Sequence, residues 1–279
     1  MRLFDFTDYG ALLGLVTNSL IAGALLGVVG GLIGFFVLAR DLPFAVHGIS
    51  ELSFAGGAGA LLIGADVVTG SIVGSLLAAL LIGVLGVRAR ERNSVIGVLM
   101  PFGLGLGILF LALYGGRSAN RFGLLTGQVV AVDTPQVLVL AVVAVLVLVV
   151  LLLVWRPLLF ASVDEDVAVA RGVPVRGLSM LFMVLLALTV SLAVQTVGAL
   201  LVLALLVTPA AAAVRVASGP LAVSLLSTAF AVASVVGGIL LALGGSIPIS
   251  PYVTTISFAI YLVCRLLGRR RGRAYAEAP

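Results

Sequence analysis

Residues 137–154 read VLVLAVVAVLVLVVLLLV, eighteen apolar residues with no polar interruption. A helix needs about 20 mostly apolar residues to cross the roughly 30 Å hydrocarbon core of a bilayer. A membrane β-strand would instead alternate in polarity over segments of about 10 residues. This run is continuous, so the stretch reads as a transmembrane helix. The rest of the chain has the same character. It is 279 residues long, 62% hydrophobic and 10% charged, with a mean hydropathy of +1.33. Soluble domains carry about 25% charged residues. The fold class is therefore all-α, a polytopic transmembrane helical bundle.

Nine spans are expected, at roughly 12–38, 44–64, 67–87, 94–114, 136–155, 176–195, 197–216, 221–243 and 252–267; a count of eight to ten fits the same pattern. Only Gln195 and Thr196 separate the sixth from the seventh, which predicts a tight turn there. Asp5 and Asp8 precede the first apolar run and argue against a cleavable signal, which wants a basic leader. The first span reads as retained. The long segment from Gly115 to Thr134 holds a stretch, Phe122 to Val132, that fits a re-entrant dip. Residues 1–268 form one membrane domain, and 269–279 a basic cytoplasmic tail.

All 16 basic residues are arginine. With the N-terminus outside, 13 of the 16 fall on inner segments, including Arg40, Arg92, Arg156, Arg171, Arg176, Arg215 and Arg265. The positive-inside rule favours that orientation, with a cytoplasmic C-terminus. The arginines mark helix ends, so the net charge of +5 is no sign of nucleic-acid binding. A phosphate-binding P-loop needs a lysine, and the chain has none. Work driven by ATP must come from another polypeptide. The single cysteine, Cys264, allows neither an internal disulfide nor a cysteine metal cluster.

Glycine pairs four apart, Gly23/Gly27, Gly30/Gly34 and Gly70/Gly74, together with Gly103, Gly105 and Gly107, let helix backbones approach in lipid. Pro101 and Pro209 fall inside spans, where proline kinks a helix. Asn18 and Gln195 suit bonds between helices, and Asp66 and Asp133 suit solvated helix ends.

Two segments carry chemistry. In the second span, His47 and Glu51 are four residues apart and share a helix face. Ionisable groups within spans are costly and usually face a cavity or each other. Imidazole and carboxylate suit a divalent transition ion. Two ligands are too few for a tight site, but a two-fold dimer would bring together two of each. An interfacial His47–Glu51 contact without metal fits the same spacing. The second segment is the cytoplasmic loop 156–175, whose middle reads as a short self-capped helix. Ser162 and Glu165 have capping-box spacing. Asp164, Glu165 and Asp166 place negative charge at its N-terminus. Ala168 lies in its body, Arg171 in its last turn, Gly172 at the C′ position, and Pro174 stops it.

Three stretches resemble the permeases of zinc and manganese ABC transporters. Val197-Gly-Ala-Leu-Leu-Val-Leu-Ala-Leu-Leu-Val-Thr-Pro209-Ala-Ala-Ala-Ala213 is similar to that family's V-G-x-L-L-V-x-A-L-L-V-x-P-A-x-x-A signature, with Gly198 and Pro209 as kink and packing positions. The loop from Asp164 to Val175 is similar to its D-x-x-x-A-x-x-x-G-[VL]-P-V coupling helix, and Leu125 to Asp133 to its L-x-G-x-[IL]-L-x-[VI] segment. The resemblance implies a type II ABC importer-like bundle in the bacterial inner membrane. It implies a homodimer working with cytoplasmic ABC ATPase subunits and an extracytoplasmic metal-binding protein. It implies no catalysis in this chain, no permanently bound cofactor, and Zn2+ or Mn2+ as cargo. The second span departs from the family's G-D-A-[IL]-[SA]-H-[AS]: His47 takes the Asp position and Glu51 the His position. Imidazole favours zinc and carboxylate manganese; the expectation here is zinc. Two other functions fit less well. A permease for iron-siderophores or corrinoids wants a wide aromatic cavity, and this chain has one tryptophan. A stand-alone channel or secondary transporter usually carries several buried charges.

Overall fold

The computed structural model describes residues 13, 16–85, 89–115, 133–243 and 249–276. The expected re-entrant stretch, and most of the motif at 125–133, lie outside them. The long helices are α1 (Thr17–Ala39), α2 (Pro43–Leu62), α3 (Val67–Leu85), α4 (Ala89–Leu113) and α5 (Thr134–Leu153). Two short helices follow, α6 (Trp155–Val163) and α7 (Glu165–Ala170). Then come α8 (Val175–Val197), a 3-10 turn (Ala199–Leu201), α9 (Val202–Val216), α10 (Pro220–Leu243) and α11 (Ile249–Ala276).

Among the described residues, seven helices are long and apolar enough to cross a membrane, so nine is a little high. Each of the two expected spans that do not qualify has a physical reason. Helix α9 has 15 residues, a rise of about 22 Å. It is short because the chain breaks later than the sequence suggested. Helix α8 runs through Gln195 and Thr196 and ends at Gly198, which adopts φ 88 and ψ 153. A side chain there would clash with its own backbone. Helix α2 is long enough but polar, holding His47, Ser50, Glu51 and Ser53. It tolerates them because protein surrounds it; Ser50, Glu51, Ser53, Phe54 and Ala58 are all buried.

Lipid offers no hydrophobic reward for joining two apolar helices, so close packing must supply it. Gly23, Gly27 and Gly31 lie along α1 against α10. A Cβ on Gly27 would sit 2.8 Å from the Val232 Cα, and Ser227 Oγ donates to the Gly31 carbonyl at 2.8 Å. Gly30 and Gly34, on another face of α1, receive Leu205, Leu206 and Ala210 of α9. Gly70 and Gly74 of α3 meet Gly56 and the Leu52 carbonyl of α2, and Gly103 and Gly107 of α4 meet Leu52 and Phe54. Helix α2 is thus wedged between α3 and α4, while α1 is held by α9 and α10.

Those contacts fix relative directions. Helix α1 runs antiparallel to α10 and parallel to α9, and α2 runs parallel to α4. The C-terminus of α1 therefore shares one end of the bundle with the N-termini of α2, α4 and α8. The same end holds Arg40, which bonds Ser162 and Ser179, and Arg92, whose Nη2 donates to the Asp41 carbonyl at 3.5 Å. Arg215 joins them, its carbonyl against Gly268 of α11. At the far end, Asn18 Nδ2 donates to Thr134 Oγ1 at 3.3 Å, tying α1 to α5 as its sequence position suggested. Asp66 accepts from the Thr69 amide and hydroxyl at 2.8 and 2.7 Å, which holds its carboxyl below the usual carboxylate range. Asp133 caps α5 together with Gln136. Cys264 is buried.

The glycine seam sets a test. Gly27→Val should force α1 and α10 apart and cost about 1–3 kcal/mol or more. Thermal unfolding of the purified protein in detergent checks this, and an unchanged melting temperature would show that the seam is not what holds these helices.

Candidate metal pair and coupling segment

His47 and Glu51 face each other on α2, His47 Nε2 lying 3.7 Å from Glu51 Oε1. The Glu51 side chain is 4% exposed and that of His47 28%. Glu51 comes by its burial through the packing of α2, since Gly103 of α4 brings backbone against the Glu51 carbonyl carbon. Ser50 is turned away from the pair's chemistry and donates to the His47 carbonyl at 2.8 Å. Glu51 Oε2 and His47 Nδ1 are buried and lack a hydrogen-bond partner. A buried polar atom left unpaired is costly, and native structures keep few of them. Carboxylate and imidazole are both side chains able to ligate a divalent cation. The pair stands alone, because no group of three or more His, Cys, Asp or Glu side chains that could hold a metal exists among the described residues. Among the described residues, one chain offers two such side chains here.

The loop between α5 and α8 is more structured than its sequence suggested. It holds two short helices, α6 and α7, where one was expected. Ser162 does not cap α7. It lies inside α6, where its hydroxyl donates to the Leu158 carbonyl at 2.6 Å. The cap is Asp164, whose Oδ1 accepts from the Val167 amide at 2.9 Å. Both residue types cap well; Asp164 wins because α6 claims Ser162 first. Glu165 and Asp166 occupy the first turn of α7. The helix closes at Arg171, followed by Gly172 at φ 80. The Val173 amide reaches back to the Ala168 carbonyl at 3.0 Å and the Gly172 amide to Val169 at 2.9 Å. This paired closure is the Schellman arrangement, for which a left-handed C′ residue is required. Ala168 packs with Ala161 and Val175 in a small core of its own. Val163, Val167 and Val169 remain exposed.

The model of the ABC 3 transport family matches residues 13–268. The chain belongs to the ABC 3 transport family. It is a transport permease of the metal ABC-transporter type, a multi-pass membrane protein of an importer family. It is 33% identical over 223 residues to the manganese transport system membrane protein MntC of Halalkalibacterium halodurans, covering 80% of this chain and 76% of that protein. It is 30% identical over 247 residues to the manganese import system permease protein ScaB of Streptococcus parasanguinis, covering 88% of each. Among solved structures it resembles PsaBC from Streptococcus pneumoniae in complex with Fab. That match has a TM-score of 0.83 and 28% identity over 93% of this chain and 95% of that one.

Sequence reasoning passed over one residue in this region. Arg40 looked like an ordinary helix-end charge, yet it bonds two hydroxyls more than a hundred residues downstream. Gln195 fares the other way: its Nε2 is buried without a hydrogen-bond partner rather than bonded across helices.

A buried carboxylate with a free oxygen destabilises the fold that carries it. Glu51→Gln should therefore raise the melting temperature of the metal-free protein by about 2 °C or more. Differential scanning fluorimetry in detergent reads this, and a lower melting temperature would mean that the carboxylate holds the fold together.

Proposed function

We propose that this chain is the membrane-spanning subunit of an importer for divalent transition-metal ions. It acts as a homodimer with two cytoplasmic ATPase subunits and an extracytoplasmic metal-binding protein, N-terminus outside and C-terminus, including the basic tail at 269–279, inside. The observation that carries the reading is the buried His47–Glu51 pair in a chain of this family. The gathering of arginines at one end of the bundle supports the orientation. Manganese now stands ahead of zinc as the cargo. The relatives' names point to it, and the more deeply buried member of the pair is the carboxylate, the harder ligand.

The mechanism is alternating access. The binding protein delivers an ion to the outer mouth. ATP-driven closure of the partner subunits presses on α7, whose exposed Val167 and Val169 and acidic first turn form the contact. The bundle opens inward, and the ion passes the level of His47 and Glu51. Two copies of the pair, one from each subunit, would supply four ligands. Gly198 and Pro209 shape the broken segment through which the outer half of the bundle adjusts.

Two measurements test this. In cells, His47→Ala and Glu51→Ala should each cut manganese accumulation about tenfold or more at normal expression, as loss of a ligand does. Wild-type accumulation in both would refute the site, and zinc falling while manganese holds would restore zinc as cargo. In a reconstituted complex, Gly172→Val should strain the left-handed turn by about 1–2 kcal/mol and reduce metal moved per ATP, as should Glu165→Arg. Normal coupling in both variants would remove α7 as the contact.

A further inference from the structure

Helix α1 ends abruptly. The Asp41 backbone turns left-handed at φ 53, and the Leu42 amide closes back on the Val37 carbonyl at 2.8 Å. This fixes the backbone at Arg40 and aims its side chain across the bundle end. Its Nη1 donates to Ser162 Oγ of α6 at 3.2 Å, and its Nη2 donates to Ser179 Oγ of α8. The guanidinium carbon lies 5.8 Å from the centre of the Phe182 ring, also on α8. Ser162 donates its own proton to Leu158, which leaves its lone pairs for Arg40. Glu165, at the start of α7, attracts the same cation.

Beneath the guanidinium lies an aromatic cluster joining the same three helices. Trp155, the first residue of α6, stacks on Phe35 with centroids 6.0 Å apart and meets the edge of Phe36 at 4.8 Å. Phe36 meets Phe182 at 5.9 Å. Aromatic contacts in offset-stacked and edge-to-face arrangements bind the helices firmly. A planar fork with two hydroxyls in fixed positions sets a register. The two layers divide the labour: rings supply cohesion, and Arg40 supplies alignment.

We propose that Arg40 is the positioning residue of the coupling segment, pinning α6 and α7 to α1 and α8 so that force received on α7 moves the transmembrane helices. The proposal rests on the importer reading above. Helix α1 is the element that α9 and α10 grip through glycine, so a displacement passed to α1 reaches both. Without the pin, α6 and α7 tilt on the loop and the motion is lost before it reaches the bundle. The partner's hydrolysis continues, but less metal moves for each ATP.

The test uses the full complex of this chain with its ATPase subunits in proteoliposomes, with the binding protein outside and manganese as the probe. The readout is metal imported per ATP hydrolysed. Arg40→Ala should lower that ratio about tenfold, the loss expected when a charged hydrogen-bonding group is removed. Arg40→Lys, which keeps the charge but not the fork, should recover only part of it. Ser162→Ala/Ser179→Ala should reproduce the Arg40→Ala loss, and combining all three should add little. If Arg40→Ala fails to fold, the double serine variant decides alone, since it leaves the cation and the aromatic cluster in place. A wild-type ratio in the serine double variant overturns the proposal. So does a ratio that falls only in step with melting temperature across the series. Failure of the importer reading shows differently: the unsubstituted complex would then import manganese without ATP, or not at all.

Discussion

Backbone-to-backbone approach at glycine is the constraint on which this bundle rests. Lipid solvates leucine as well as another helix does, so burying leucine against leucine gains little in a membrane. What remains is dispersion at short range, and this needs positions without side chains. Gly27 and Gly31 let α10 onto α1, Gly34 admits the Leu206 carbonyl of α9, and Gly74 admits the Leu52 carbonyl of α2. Every functional element described above hangs from these seams. Helix α2 can carry a buried carboxylate because α3 and α4 close around it. Arg40 can reach two other helices because α1 is held still on its remaining faces.

The same packing explains why the His47–Glu51 pair is left partly unsatisfied. A soluble protein would hydrate Glu51 or neutralise it with arginine. Here a histidine lies 3.7 Å away, and one carboxylate oxygen has no hydrogen-bond partner. On the importer reading proposed above, a cargo ion binds and leaves in each cycle, so a site completed by the fold would serve transport poorly. On that reading a pair left open on the His47 side suits an ion that passes.

Much of this was legible in the sequence, and the limits have physical causes. Apolar runs locate helices because the bilayer sets a length, and each of the nine expected spans has a helix near it. The number of helices long and apolar enough to cross was less legible. Hydropathy sees neither the backbone break at Gly198, which shortens α9, nor the protein sheath that lets α2 be polar. The His47–Glu51 pair was readable because spacing of four on a helix is local geometry. Arg40 was not, because its partners lie 122 and 139 residues away and are two serines of no local distinction. The cap of α7 was misassigned by two residues, since nothing in the local pattern says that Ser162 belongs to a preceding helix.

The short helix α9 bears on how the chain is made. With 15 residues it falls several ångströms short of the hydrocarbon thickness, so it gains too little by itself to stay across a bilayer. The last helix of the chain bonds to its beginning: Ser250 donates to the Val197 carbonyl, at the end of α8, at 3.4 Å, and Ser257 to the Ala204 carbonyl, in the first turn of α9, at 3.0 Å. Those serines leave the ribosome after α9 does. Those two bonds therefore form only once the final helix is in place, after the segment carrying the family's signature has been made.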